Sequence, residues 1–345
     1  MPSRAPRPSQ AKAEKLPMLR TSERTTWRRC PQRWFWAYRE GIAVREHATP
    51  NALWFGTGIH LALAGWYTGP GVVRGPHPAE TFEAWATDET RRIRVENLQD
   101  SNWDETKWVS ALELGIAMLT GYVDRYGTDP SWHVIAPEQT FQIAIPKVKP
   151  ATGNLVLYVG TFDLVYRDLA NDGIFLGEHK SYAAIQTGHL PLDDQTGSYW
   201  MVARDTLLAQ GLIKKTDQID GITYNILRKA MPDLRPKNEL GSALNKDGSI
   251  SKVQPSPLFH RELVFRMRSE LRTQAERIQQ EATVMAMQLR GEVPIWKNPT
   301  RDCAFDCHLK EMCELHEQGA DWEEYRDAVF IVRNPYSDHL KSAAE

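Results

Sequence analysis

The chain has 345 residues, 41% of them hydrophobic and 25% charged, which is enough for one large domain or two modest ones around a sizeable core. A formal net charge of −2 gives no general attraction for polyanions, so any contact with nucleic acid has to come from local charge. No apolar run approaches the ~20 residues of a membrane span and the N-terminus lacks the apolar core of a signal peptide, which predicts a soluble, cytoplasmic protein without a membrane partner.

In chain order, residues 1–17 are rich in Pro, Ala, Ser and Lys and read as a disordered basic arm. Residues 1–45 carry eleven Lys/Arg against three Glu, a density that can track phosphates or simply mark a solvated tail. From Arg24 to Arg39 the basic residues alternate with Trp27, Trp34, Phe35, Trp36 and Tyr38, which predicts a folded segment with aromatics inside and Arg on the rim. Thr21-Ser22 supplies an N-cap for a helix reaching about Glu40 across Cys30-Pro31. The apolar stretch from Leu53 to Trp66, with small residues at 56, 58, 62 and 64, reads as a tightly packed helix, and Trp103 to Tyr126 shows a clear helical face. Strands follow from about Trp132 to Ser181, then a helix over 194–210 and a short strand over 219–227. A Pro/Gly/Lys-rich flexible loop fills 231–257, and a long helix is predicted from Phe259 to Arg290 before a cysteine-rich tail. These elements suggest an N-terminal helical region (18–130), a core (131–230), the loop (231–257) and a C-terminal region (258–345).

The most informative pattern is Gly160-Thr-Phe-Asp163, then a turn at Asn171-Asp172-Gly173, then Phe175-Leu-Gly-Glu178-His-Lys180. Leu155 to Val159 and Leu164 to Tyr166 are β-branched and aromatic, and Asn-Asp-Gly supplies the left-handed positions of a tight turn, so a β-hairpin is expected. Residues two apart on a strand share a face, so Glu178 and Lys180 project together and His179 points away. If the hairpin register brings Asp163 near Glu178, two carboxylates converge beside an amine. Hard oxygen donors of this kind suit Mg²⁺ or Mn²⁺, and the chemistry that follows is phosphodiester hydrolysis, with Lys180 orienting or helping to deprotonate the nucleophile. Taken alone, Glu-x-Lys is more simply a surface ion pair; its neighbours change the balance.

The four cysteines are unevenly placed. Cys303, Cys307 and Cys313 form C-x₃-C-x₅-C, whereas Cys30 stands alone near the N-terminus. Without a secretory signal this grouping points to a metal or cluster site in place of disulfides. The three-plus-one spacing favours a [4Fe–4S] cluster over zinc, whose ligands usually come in two close pairs. Either group would clasp the two terminal regions together.

These signals occur in an order that resembles the RecB-like branch of the PD-(D/E)xK nuclease superfamily, in particular iron–sulfur exonucleases related to those of CRISPR adaptation and phage recombination. The resemblance covers roughly residues 20–315 and rests on Cys30-Pro31-x-x-Trp34-Phe35-Trp36, Gly56-Thr-Gly-Ile-His60, Asp163 with Glu178-His179-Lys180, Gln195-Thr-Gly-Ser-Tyr199 and the three C-terminal cysteines. It implies an α/β, restriction-endonuclease-like fold: a mixed central sheet of four or five strands flanked by helices, with a helical Fe–S cap built from both termini. It further implies Asp163, Glu178 and Lys180 as catalytic residues. The metal, Mg²⁺ or Mn²⁺, would be held by His60, Asp163, Glu178 and the His179 backbone carbonyl. Cys30, Cys303, Cys307 and Cys313 would hold the [4Fe–4S] cluster, with zinc as the alternative. Gln195 and Tyr199, four apart on one helix face, would contact DNA, and Glu138 would support the site from behind. The expected activity is a metal-dependent DNA exonuclease acting on ends or single strands in recombination or repair, running 5′→3′. The alternatives are a non-catalytic DNA-binding protein with a zinc or Fe–S clasp and a nuclease subunit requiring a helicase or annealing partner.

Overall fold

The computed structural model describes residues 18–44, 49–68, 71–97, 102–148 and 156–336; the basic arm over 1–17 lies outside them. In chain order the elements are β1 (Met18–Leu19), α1 (Thr21–Arg29), α2 (Pro31–Trp34), a π-helical turn (Phe35–Arg39), β2 (Ile42–Val44), α3 (Ala52–Trp66), α4 (Pro78–Glu96), α5 (Glu105–Tyr126), β3 (Trp132–Ala144), β4 (Leu157–Asp168) and β5 (Gly173–Tyr182). These are followed by α6 (Asp194–Ala209), β6 (Ile219–Arg228), β7 (Phe259–Val264), α7 (Arg268–Leu289), α8 (Cys303–Asp306), α9 (Lys310–Gln318), α10 (Trp322–Val329) and β8 (Phe330–Val332).

The main sheet has six strands, in the order β1-β4-β5-β6-β7 with β3 also pairing with β4. It is mixed, as expected: β1/β4 and β5/β6 are parallel, β4/β5 and β6/β7 antiparallel. The chain divides into two compact units, each discontinuous in sequence: Met1–Glu46 with Phe141–Gly160 and Arg272–Glu345, and His47–Thr140 with Thr161–Leu271.

The second unit carries the hairpin. Alternation along the strands sends Leu164, Tyr166, Phe175 and Leu227 into one apolar core with α3, α4 and α5. Fully buried Phe82 of α4 is seated between two glycines: a Cβ at Gly58 of α3 would lie 2.6 Å from its ring, and one at Gly115 of α5 only 2.1 Å. Gly58, one of the small residues read in the 53–66 helix, and Gly115 thus let three helices close around one aromatic ring. Asn51 Oδ1 caps α3 by accepting from the Trp54 amide at 2.9 Å, and Asp104 caps α5. The opposite face of β6 meets α6, where the Thr196 and Tyr224 hydroxyls are hydrogen-bonded and buried.

In the first unit, Arg24 is fully buried and its Nε donates to Glu281 of α7 at 2.6 Å, while Glu23 accepts from Trp34 and is bonded to Arg39 and Tyr336. Trp36, Ile42, Leu309, Met312 and Phe330 form a small core, and β2 pairs with β8.

Two expectations need correction, and one helix was not foreseen. The helix expected from Thr21 to Glu40 is broken at Cys30, which is extended (φ −161°, ψ 108°) because Pro31 disfavours helical backbone before it. The helix expected over 259–290 begins only at Arg268; Phe259–Val264 is instead an edge strand, whose ladder with β6 outweighs the helical spacing of its apolar residues. The charged helix α4, with His77 capping and Pro78 at its first turn, was not anticipated.

Candidate active site

The hairpin forms as the sequence predicts. Asp172 takes the left-handed conformation (φ 59°), and the register runs from Asp168↔Gly173 to Leu164↔Gly177, so Asp163 comes level with Glu178. Asp163, Glu178 and Lys180 share the sheet face that looks towards α6. Lys180 Nζ lies 2.5 Å from Glu178 Oε1 and donates to Gln195 Oε1 at 2.9 Å, and Gln195 Nε2 donates to the Tyr199 hydroxyl at 3.2 Å. The four-residue spacing of Gln195 and Tyr199 therefore produces a hydrogen-bonded chain that orients the lysine.

A donor cluster adjoins this chain. His60 Nδ1 is 3.3 Å from Asp163 Oδ1, while Asp163 Oδ2 accepts from the His179 backbone amide at 2.8 Å. One donor atom each from His60, Glu138 and Asp163 lie within 4.8 Å of one another, a spacing that one divalent ion can bridge. The Glu138 carboxylate thus lies beside His60 and Asp163. It reaches this place because the strand is irregular at Pro137-Glu138, where Glu138 has φ 44°, a costly backbone for a non-glycine residue. A proline inside a strand was the available sequence signal.

The electrostatics fit a cation site. Burial alone would raise Asp163, but the His60 charge and hydrogen bond hold it down at about 2. Burial and then the Asp163 charge push Glu178 up to about 7. Glu138 is raised by the protein around it and then by Asp163, a push that water screens because its side chain is exposed. Burial opposes protonation of His60, yet Asp163, Glu178 and Glu138 outweigh it and raise the imidazole to about 9. The imidazolium thus sets a positive charge beside the Asp163 carboxylate. Lys180 is raised despite burial by Glu178 and Asp163, so it is a fixed ammonium.

The ring of His179 turns to the other face, into a buried polar network that the sequence reading missed. It stacks on Tyr67 with centroids 5.9 Å apart, and its Nδ1 lies 3.0 Å from Asn225 Nδ2. Arg261 Nε donates to Asn225 Oδ1, so the Asn225 amide nitrogen faces the ring and Nδ1 is the acceptor. The ring proton is then on Nε2, a buried atom without a hydrogen-bond partner among the described residues. Burial first of all lowers this histidine to about 4, so the ring is neutral. Arg261 anchors the network, with NH1 2.5 Å and NH2 2.8 Å from the two Asp129 oxygens and NH2 2.9 Å from the Tyr122 hydroxyl. It escaped notice because its segment carries helical apolar spacing.

In the other unit, the four cysteines line a single cavity of about 490 Å³. Cys30 ends α1, Cys303 and Cys307 bracket α8, and Cys313 lies in α9. Arg29, Arg33, Lys297, Arg301 and Lys310 also line it. The distant Cys30 and the C-terminal triplet do converge.

No helix among the described residues is long and apolar enough to cross a membrane. No curated protein matches the chain closely enough to count as a relative. The family model of the PD-(D/E)XK nuclease superfamily matches residues 21–314, a span that takes in the hairpin, the His60 helix and all four cysteines. With the Asp163 and Glu178-x-Lys180 hairpin at the centre of that span, the chain belongs to the PD-(D/E)XK nuclease superfamily.

Proposed function

We propose that this nuclease is a metal-dependent DNA exonuclease acting at ends or on single strands in recombination or repair, with 5′→3′ polarity. The observation that carries the reading is the convergence of His60, Glu138 and Asp163 beside the Glu178–Lys180 pair. His60, Glu138, Asp163 and Glu178 would hold Mg²⁺ or Mn²⁺, with the His179 backbone carbonyl as a further oxygen donor; the imidazole favours Mn²⁺. When bound, the ion lowers the pKa of a coordinated water and neutralises phosphate charge. Lys180, held as an ammonium by Glu178 and Gln195, stabilises charge developing on the scissile phosphate and orients the water. Tyr199 and Gln195, on the face adjoining Lys180, are placed to meet the DNA backbone.

The cysteine cavity supports a [4Fe–4S] cluster. The four thiols line one cavity, and five Arg/Lys against two Glu, Glu314 and Glu317, line it with them, a balance that suits an anionic cluster. Visible charge-transfer absorbance after anaerobic purification is expected of a cluster; stoichiometric zinc without colour contradicts it.

The activity is tested on linear and circular single-stranded DNA and on duplexes labelled at either end, with Mg²⁺ or Mn²⁺. Progressive release of nucleotides from 5′ ends, with circles left intact, is expected. Cleavage of circles shows an endonuclease, and binding without nucleotide release supports the non-catalytic alternative. Activity that appears only after adding a helicase or annealing protein supports a dependent subunit.

A further inference from the structure

Between Arg228, the last residue of β6, and the start of β7, the chain makes an excursion over residues 229–258 that contains no helix or long strand. It is nevertheless densely bonded. Asn238 Oδ1 accepts from the amides of Leu240 and Ser242, and Gly241 turns the chain at φ 80°. A second turn runs from Asn245 to Ser249, with Asp247 accepting from the Ser249 amide and Gly248 at φ 82°. Gln254 bonds both backbone groups of fully buried Ala243, and Arg235 is fixed by Asp233 and Ser251. Such a segment has little conformational freedom left to lose on binding.

With polar groups used internally, aliphatic side chains face water. Leu234 and Leu240 are 92% and 90% exposed, Val253 73%, Ile250 60% and Met231 57%. Residues 229–258 also hold five Lys/Arg against three Asp/Glu, in a chain whose net charge is −2. Exposed aliphatic groups among cations mark a binding surface, and an anionic partner with apolar faces matches both features. The root of the segment selects the partner. Arg228 is in register with Tyr182, two residues beyond Lys180, and the Lys229 amide donates to the Tyr182 carbonyl at 2.7 Å. Lys229 Nζ also stands 6.0 Å from the ring centre of Phe55, in the helix that carries His60.

We propose that residues 229–258 form a wedge that engages DNA ends presented to the active site, with Leu234 and Leu240 packing on unstacked base faces and Lys237, Lys246 and Lys252 meeting phosphates. The identification of DNA as the occupant rests on the nuclease reading. Aliphatic side chains inserted between bases unstack them, and lysines on phosphates make binding salt-dependent.

The test uses the full-length protein with Asp163→Ala, to suppress hydrolysis, and a duplex carrying 2-aminopurine in its terminal pair. Binding is expected to raise the 2-aminopurine fluorescence by unstacking. Leu234→Ser with Leu240→Ser should abolish most of that rise, and Lys237→Ala, Lys246→Ala and Lys252→Ala together should lower affinity at least tenfold and flatten the salt slope by about 0.9 per lysine lost. No rise with the parent protein, or an unchanged signal and affinity in both variants, overturns the wedge and leaves the surface to a protein partner or a second copy. Because fluorescence needs no turnover, these outcomes are independent of whether the wild-type protein releases nucleotides with Mn²⁺, the measurement on which the nuclease reading itself fails or stands.

Discussion

Arg261→Met removes the cation from the network beneath the hairpin while keeping much of the side-chain volume. Arg261 is 18% exposed and Asp129 7%, and the pair is bidentate at 2.5 and 2.8 Å. The guanidinium also lies 3.6 Å from the Tyr126 ring centre and 4.0 Å from that of Trp132. Removing one member of a buried ion pair strands the other, at a cost of about 3–5 kcal/mol. At a urea slope of roughly 1–3 kcal/mol per molar, that moves the unfolding midpoint of this unit down by about 1–5 M. The double variant Asp129→Asn/Arg261→Met no longer buries a lone charge and should recover part of the loss. Urea denaturation followed by circular dichroism gives both quantities. A loss under about 1 kcal/mol in Arg261→Met, or a double variant no more stable than the single one, would refute the argument.

Further predictions concern the site and its supports. Below its ordinary 3.8, Asp163 loses its contribution to stability as the pH falls towards about 2, whereas Glu178, raised from 4.5 to about 7, makes the metal-free protein less stable as the pH rises through that interval. The His60 contribution is complete below 6.5 and is lost as the pH rises through about 9. Mn²⁺, which displaces these protons, should therefore raise Tm more at pH 9 than at pH 6; equal shifts contradict the assignment. Gln195→Ala frees Lys180 and should lower kcat about 10–100-fold with Mn²⁺ affinity unchanged, and a matching loss of metal affinity would count against a lysine-orienting role. Gly58→Ala drives a Cβ to 2.3 Å from Trp85 and should cost about 1–3 kcal/mol, read by thermal unfolding; a neutral result would show that α3 and α4 can separate freely. Cys30→Ser should abolish visible absorbance even though the three C-terminal cysteines remain, and retention of full colour would exclude Cys30 as a ligand.

Much of the site was legible because its determinants are local. Asn171-Asp172-Gly173 fixes the turn, period-two alternation puts Glu178 and Lys180 on one face, and helical spacing pairs Gln195 with Tyr199. Less legible was what depends on pairing between distant strands. Phe259–Val264 carries a helix-like pattern and becomes a strand only because the edge of β6 is available, and that hid Arg261 and its network. Glu138 was expected behind the site, and its place beside His60 and Asp163 follows from a backbone irregularity next to Pro137, a residue whose presence inside a strand was the one local signal. The break at Cys30-Pro31 was visible as an interruption, but its consequence, a thiol turned into the cavity shared with Cys303, Cys307 and Cys313, needed three dimensions.

The most direct test of the central claim is the Mn²⁺-dependent rate of nucleotide release from linear single-stranded DNA by the wild-type protein beside Asp163→Ala. Asp163 bonds His60 on one oxygen and the His179 amide on the other, so its loss dismantles the donor cluster and should lower the rate on the order of 10³-fold, to the level seen with excess chelator. A variant within tenfold of wild type, or a wild-type rate indifferent to chelator, would contradict the account.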